Sequence, residues 1–167
     1  MLAPRELGVR LDRILACAGR LLDALPLSAL DYRPAQRDRS VRDLAFHVFR
    51  LSLAYVDGMD MGNLRESWLQ EKAPADLVDG PALARYGALV RGRVSGWFEG
   101  AGPAEYARSI RTPCGPQAGH DLLERTASHA ARHLRQLYAV AADLGIAPRE
   151  PLPTADFEGL SLPASLW

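Results

Sequence analysis

Three of the four histidines in this sequence are spaced so that two helices could bring their imidazoles together. His129 and His133 are four residues apart in a strongly helical segment, 128–137, and residues at that spacing lie on one helix face, a turn apart. His47 lies in another amphipathic segment about eighty residues upstream. Two histidines from one helix and one from a neighbouring helix can hold a divalent metal ion with coordination positions left open for chemistry.

Four amphipathic helices must position these histidines. Apolar residues recur at helical spacing between breakers such as Pro26, Gly100 and Gly145. This pattern predicts long helices over 7–25, 41–57, 81–100 and 120–144, and a short one over 64–72. Ser40 and Asp43 resemble a capping box at the start of the second helix. We expect irregular chain at 26–39, 100–119 and in a tail over 146–167, and no strand. The natural arrangement is an all-α four-helix bundle.

The length and composition predict one soluble domain over residues 1–167. Hydrophobic residues make up 48% and charged residues 24%, and the formal net charge is zero. A neutral chain lacks the basic surface of a nucleic-acid binder and has no attraction for an anionic membrane. No apolar run predicts a transmembrane span or a signal peptide, so we expect a cytoplasmic protein. Cys17 and Cys114 form no CxxC pair or disulfide framework.

The helical phase of the last helix favours a metal site over simple packing. At about 100° per residue, His129 and His133 share an arc with Leu122, Leu137 and Val140, so the pair faces the bundle interior. The alternative is a pair of half-buried histidines that are hydrogen-bonded to backbone or carboxylates. His47 on a second inward face favours the metal. His120 is about half a turn out of phase, and we assign it to the helix start, outside the site.

The residues 40–47, Ser-Val-Arg-Asp-Leu-Ala-Phe-His, followed by His129-x-x-x-His133-x-Arg135-Gln136-Leu137, resemble the DinB/YfiT-like family of four-helix metalloproteins. The resemblance covers most of the chain. It implies an up-down-down-up bundle, a homodimer, and a divalent ion (zinc or nickel, with iron as another option) bound by His47, His129 and His133. One departure is Arg39, where these proteins often have Trp; we expect it to affect packing at the helix start.

The resemblance also implies a chemistry, because related proteins are transferases or isomerases that use a small cellular thiol. The leading hypothesis is therefore a metal-dependent thiol transferase or isomerase in detoxification or stress response, acting on a small-molecule substrate. One alternative is a hydrolase that uses the same three histidines to activate water. Another is a non-catalytic, stress-related bundle. The sequence names no general base.

Four other residues have both a functional and a structural interpretation. Gln136, one turn after His133, could orient it or be a solvated amide. Arg50 and Tyr55 flank the His47 face and could meet a substrate carboxylate; the alternatives are an ion pair and a core aromatic. Cys114, in the loop before the last helix, could reach the ion or a substrate, or have no role.

Overall fold

Four long helices carry the fold in a computed structural model that describes residues 1–167. In chain order the helices are α1 (Pro4–Ala24), α2 (Leu27–Leu30), α3 (Val41–Met61), α4 (Glu66–Leu69), α5 (Gly80–Gly100), α6 (Pro103–Ala107) and α7 (Gly119–Asp143). A single 3-10 turn, Thr154–Phe157, lies in the tail. The long helices α1, α3, α5 and α7 correspond to the four predicted ones, so the predicted all-α bundle is confirmed.

The packing order makes the two histidine-bearing helices neighbours. Helix α1 packs along α5 and α7, and α3 packs along the same two helices, whereas α1 and α3 scarcely touch. Helices α1 and α3 are therefore diagonal to each other across the bundle. Apolar residues of all four helices form one continuous core. A close approach of α3 to α5 requires Gly87, because a Cβ there would lie 2.4 Å from the Phe49 ring.

The start of α3 is capped, but the predicted capping box does not close. The Ser40 hydroxyl accepts a 3.1 Å hydrogen bond from the Asp43 amide, as expected. The Asp43 carboxylate instead accepts from the Ala73 amide, at 2.9 Å, and so fastens the segment after α4 to α3. The helix also runs past the predicted end at Asp57. It ends at Gly62, whose φ of 69° is the left-handed conformation that terminates helices.

The segments predicted to be irregular contain short elements. Helix α2 lies in the connector at 26–39, and α6 lies in the region at 100–119. The prediction of no strand is wrong at one place, where β1 (Ser109–Ile110) pairs antiparallel with β2 (Gln117–Ala118). Two residues per strand are too few for an alternating pattern to appear in the sequence. This ladder holds the loop that contains Cys114 beside the start of α7.

The tail predicted over 146–167 packs on the bundle. Phe157 is buried, and Leu160, Leu162 and Trp167 pack against the core. The Arg135 guanidinium donates to the Pro163 carbonyl oxygen at 3.2 Å. The segment 163–167 therefore lies along the last third of α7. No helix combines the length and the hydropathy that a transmembrane helix requires.

Candidate metal centre

The structure brings the three predicted histidines into one cluster between α3 and α7. The rings of His47 and His133 have their centroids 5.1 Å apart, at 69° to each other. His129 and His133, one turn apart on α7, have nearly parallel rings with centroids 6.2 Å apart. His133 is buried, and His47 and His129 are half-buried. His120 lies outside the cluster at the start of α7, where its ring is 2.8 Å from the Leu2 carbonyl oxygen.

A chain of hydrogen bonds fixes the orientation of His133. Its Nδ1 lies 2.8 Å from the Gln136 Oε1, a carbonyl oxygen that can only accept, so Nδ1 carries the proton. The Gln136 amide nitrogen donates in turn to the Leu166 carbonyl oxygen, also at 2.8 Å. Gln136 is fully buried, so its solvated interpretation is wrong. The lone pair on the His133 Nε2 is left free to bind a ligand, as in metal sites whose histidines are oriented by a second hydrogen bond.

All three imidazoles are held in the neutral form at neutral pH. Burial lowers the pKa of His47 to about 3 and that of His133 to about 4, and it lowers the pKa of His129. Nearby cations lower these values further: Arg39 acts on His47, and Arg125 and Arg132 act on His129. Neutral imidazole is the form that binds a metal ion.

The donor set fits a divalent ion, although the side chains do not form a finished site. Two imidazoles that share a tetrahedral zinc, with Zn–N near 2.0 Å, have centroids about 5 Å apart. The His47–His133 separation matches that value, and the His129–His133 separation exceeds it. No group of three or more His, Cys, Asp or Glu side chains has metal-binding geometry in this structure. Closure around an ion would require the His129 ring to move closer to that of His133.

Arg50 forms ion pairs, and Tyr55 is a core aromatic that also borders the space beside His129. The Arg50 guanidinium pairs with the Glu71 carboxylate, lies 3.6 Å from Asp57 and stacks over the Trp68 ring. The ion-pair interpretation therefore holds, although the arginine is buried. Tyr55 is 1% exposed and packs against the rings of Trp97 and Phe98, which also contact each other.

The two cysteines differ in their surroundings. Cys17 is buried in α1, with its sulfur 3.1 Å from the Tyr138 hydroxyl. Cys114 is exposed, with its sulfur 4.0 Å from the Arg125 guanidinium. Cys114 and His129 line one small cavity of about 80 Å³, which the structure places between α3, α7 and the loop at 112–114. The loop cysteine is thus beside the histidine cluster.

Sequence reasoning missed the arginines around the cluster. Arg37 and Arg39 line a small cavity with His133 and Gln136, and Arg125 and Arg132 line a groove with His129. Arg39, expected to affect mainly packing at the helix start, therefore also borders the candidate centre. Arg125 and Arg132 are four residues before His129 and one before His133, a spacing that could have drawn attention to them. Arg37 and Arg39 come from a connector whose path the sequence does not reveal.

The fold and the inward-facing imidazoles define a four-helix-bundle protein with a candidate three-histidine metal centre. The family model of the DinB superfamily matches residues 10–137. The chain belongs to the DinB superfamily, as the resemblance of its motifs predicted.

Two solved structures have a similar fold. One is a DinB-like protein from Bacillus subtilis, with 18% sequence identity and a TM-score of 0.68 over 88% of this chain and 95% of that one. The other is a mycothiol-dependent maleylpyruvate isomerase, with 13% identity and a TM-score of 0.65 over 81% of this chain and 61% of the isomerase. No curated protein matches the sequence.

Proposed function

We propose that this protein binds a divalent metal ion through His47, His129 and His133. It would use the ion in a transferase or isomerase reaction on a small-molecule substrate, with a low-molecular-weight thiol as co-substrate. The observation that carries the proposal is the cluster itself: three neutral imidazoles from two helices, one of them with its free Nε2 fixed by a buried amide. The superfamily and the thiol-dependent isomerase among its structural neighbours support the choice of a thiol as co-substrate.

Each histidine has a distinct part in this proposal. His133 is the anchor, since Gln136 holds its ring and leaves Nε2 free. His47 contributes the ligand from the opposite helix. His129, half-buried and bordering both the apolar cavity and the polar groove, is the ligand nearest to an entering substrate. A divalent ion held by neutral ligands keeps its full charge and lowers the pKa of a thiol that it binds, so that the nucleophilic thiolate forms at neutral pH.

The cavity beside His129 suits the other reactant. Its walls are largely apolar, formed by side chains of α3, α7 and the chain between them. An apolar wall excludes water from a bound electrophile and so favours attack by the thiol over hydrolysis. Thiol dependence separates this proposal from a hydrolase with the same ligands.

The first experiment is elemental analysis of untagged protein with matched histidine variants. We expect about one equivalent of zinc, nickel or iron in the wild type, loss of the metal in His129→Ala, and no loss in His120→Ala, which removes the one histidine outside the cluster. Retention of the metal in His129→Ala would contradict the proposal. So would its absence from the wild type and both variants after incubation with excess ion.

A second experiment tests the chemistry on metal-loaded protein. Mycothiol, bacillithiol and glutathione are each mixed with a chromogenic electrophile such as 1-chloro-2,4-dinitrobenzene, and thioether formation is followed by absorbance. We expect a rate above background with at least one thiol, which disappears in His133→Ala. Turnover that proceeds without thiol would favour the hydrolase. The predicted homodimer and cytoplasmic location stay predictions.

A further inference from the structure

Four arginines around the histidine cluster have no carboxylate partner. Salt bridges elsewhere in the protein occupy eight other arginines, but none involves Arg37, Arg39, Arg125 or Arg132. We call these four residues the arginine rim. A protein with equal numbers of acidic and basic residues thus leaves uncompensated positive charge beside its candidate centre.

Two polar groups at the groove on the α7 side lack hydrogen-bond partners. The Nε of Arg132 and the hydroxyl of Ser128 are both inaccessible to solvent and unpaired, and Ser128 is 8% exposed. Buried donors without a partner cost free energy, and rotation of either side chain toward an acceptor in the groove recovers it. Both residues line the polar groove of about 380 Å³ that also contains Arg125 and His129.

The charge along this groove is graded. Asp121 and Glu124 also line it, but they lie eight and five residues before His129, toward the start of α7. At 1.5 Å per residue, these positions are about 12 Å and 8 Å from His129 along the helix axis. Arg132 lies between the two histidines of α7. Arg125 directly follows Glu124, about 6 Å before His129, whereas no acidic residue of α7 lines the groove beyond His129, where Arg132 lies. The positive end of the groove is therefore the end at Arg132 and the candidate centre.

The apolar cavity meets the groove at this positive end. Arg125 and His129 line both spaces. The cavity, at about 80 Å³, accommodates only a few non-hydrogen atoms, and leucines from α3, α4 and α7 form much of its wall. A ligand that fills both spaces has a short apolar body in the cavity and an acceptor-rich group against Arg125 and Arg132.

We propose that this junction binds a small organic carboxylate, with its carboxylate on Arg125 and Arg132 and its carbon chain in the apolar cavity. Guanidinium groups match carboxylates in shape and charge, and each pairing is stronger than a neutral hydrogen bond. The inference rests on the proposed function only in making this carboxylate the substrate: an electrophilic acid whose reactive carbon lies beside His129. Binding of the carboxylate itself requires no metal.

The test compares butyrate with butyramide, its neutral counterpart of similar size, on protein treated with a chelator. Binding is followed by NMR through the Nε–H signals of the arginines. We expect butyrate to shift the Arg125 and Arg132 signals saturably and butyramide to leave them unchanged. The double variant Arg125→Gln/Arg132→Gln should weaken butyrate binding about tenfold or more. Arg85→Gln, which removes an exposed and unpaired arginine on α5, should not weaken it.

Each contrary result is distinguishable from failure of the metal proposal. Equal binding of butyrate and butyramide would show an apolar cavity without carboxylate recognition. Butyrate binding that survives in the double variant would place the ligand elsewhere. The absence of any saturable shift would show that no such site exists. Each of these three outcomes overturns the inference. Loss of metal binding with intact butyrate binding would overturn the proposed function and leave the carboxylate site standing.

Discussion

The outer face of α1 and the arginine rim use the same residue type in opposite ways. On α1, Arg10, Arg13 and Arg20 each pair with a carboxylate, and Asp12 accepts both bonds of a bidentate contact from Arg91. The rim arginines have no such partners. A net charge of zero therefore conceals local differences, and four of the arginines without a carboxylate partner border the neutral histidines.

The largest expected difference between these regions is in the labelling rate of their cysteine thiols. Cys17 lies under the α1 face, and burial raises the pKa of its thiol to about 11, whereas Cys114 is exposed beside the rim. Labelling with Ellman's reagent should show one fast equivalent, and Cys17 should react more slowly by about 10³ or more, because it becomes accessible only on unfolding. Cys114→Ser should remove the fast phase. Two fast equivalents would contradict the packing of α1.

Substitution of a buried, paired arginine should destabilise the protein more than substitution of an unpaired rim arginine. Arg50→Gln removes a guanidinium that neutralises two partly exposed carboxylates and stacks on Trp68, and we expect a loss of about 2 kcal/mol in the free energy of unfolding. Arg132→Gln should change it by less than about 0.5 kcal/mol. Urea denaturation of both variants measures this. A similar loss in both would mean that the rim arginine is also structural.

The Gln136 relay should matter for metal affinity without being a ligand. Gln136→Leu removes the acceptor for the His133 Nδ1 proton, and a chain ending at Ser165 removes the Leu166 carbonyl that holds Gln136. We expect each to weaken zinc binding about 10- to 100-fold, as measured by competition with a chromogenic chelator. Arg135→Gln, which loses only its bond to Pro163, is the control. The ¹⁵N signals of His133 should show a shifted tautomer balance in Gln136→Leu; unchanged affinity and tautomer would contradict the relay.

Exposed ion pairs away from the rim should contribute least to the free energy of unfolding. Arg93 and Asp60 pair on the surface, with each side chain nearly half exposed. A double-mutant cycle with Arg93→Gln and Asp60→Asn should give a coupling free energy below about 0.5 kcal/mol. Asp60→Asn keeps an oxygen that can accept from the Trp97 indole, so that contact does not confound the cycle. A coupling well above this value would show that the paired surface stabilises the fold more than the comparison assumes.

The features that the sequence predicted correctly are those that depend on the local spacing of apolar residues and histidines. The four long helices follow from apolar residues at helical spacing, and the cluster follows from the phase of His129 and His133 with His47 on a second inward face. The β1–β2 ladder is too short to have a pattern. The bond from Gln136 to Leu166 depends on the path of the tail, and Arg13 finds Asp156 across 143 residues of chain. Which arginines stay unpaired is therefore a tertiary property, invisible to a reading of neighbouring residues.

The placement of the histidines on α3 and α7 also sets when a metal could bind during folding. His47 and His133 are more than eighty residues apart in the sequence, yet their rings are 5.1 Å apart. Closing so long a loop costs conformational entropy, which the docking of α3 on α7 must offset before the imidazoles meet. Metal capture by both helices would thus follow assembly of the bundle and report that it is complete. A zinc finger, by contrast, folds only when its ion binds.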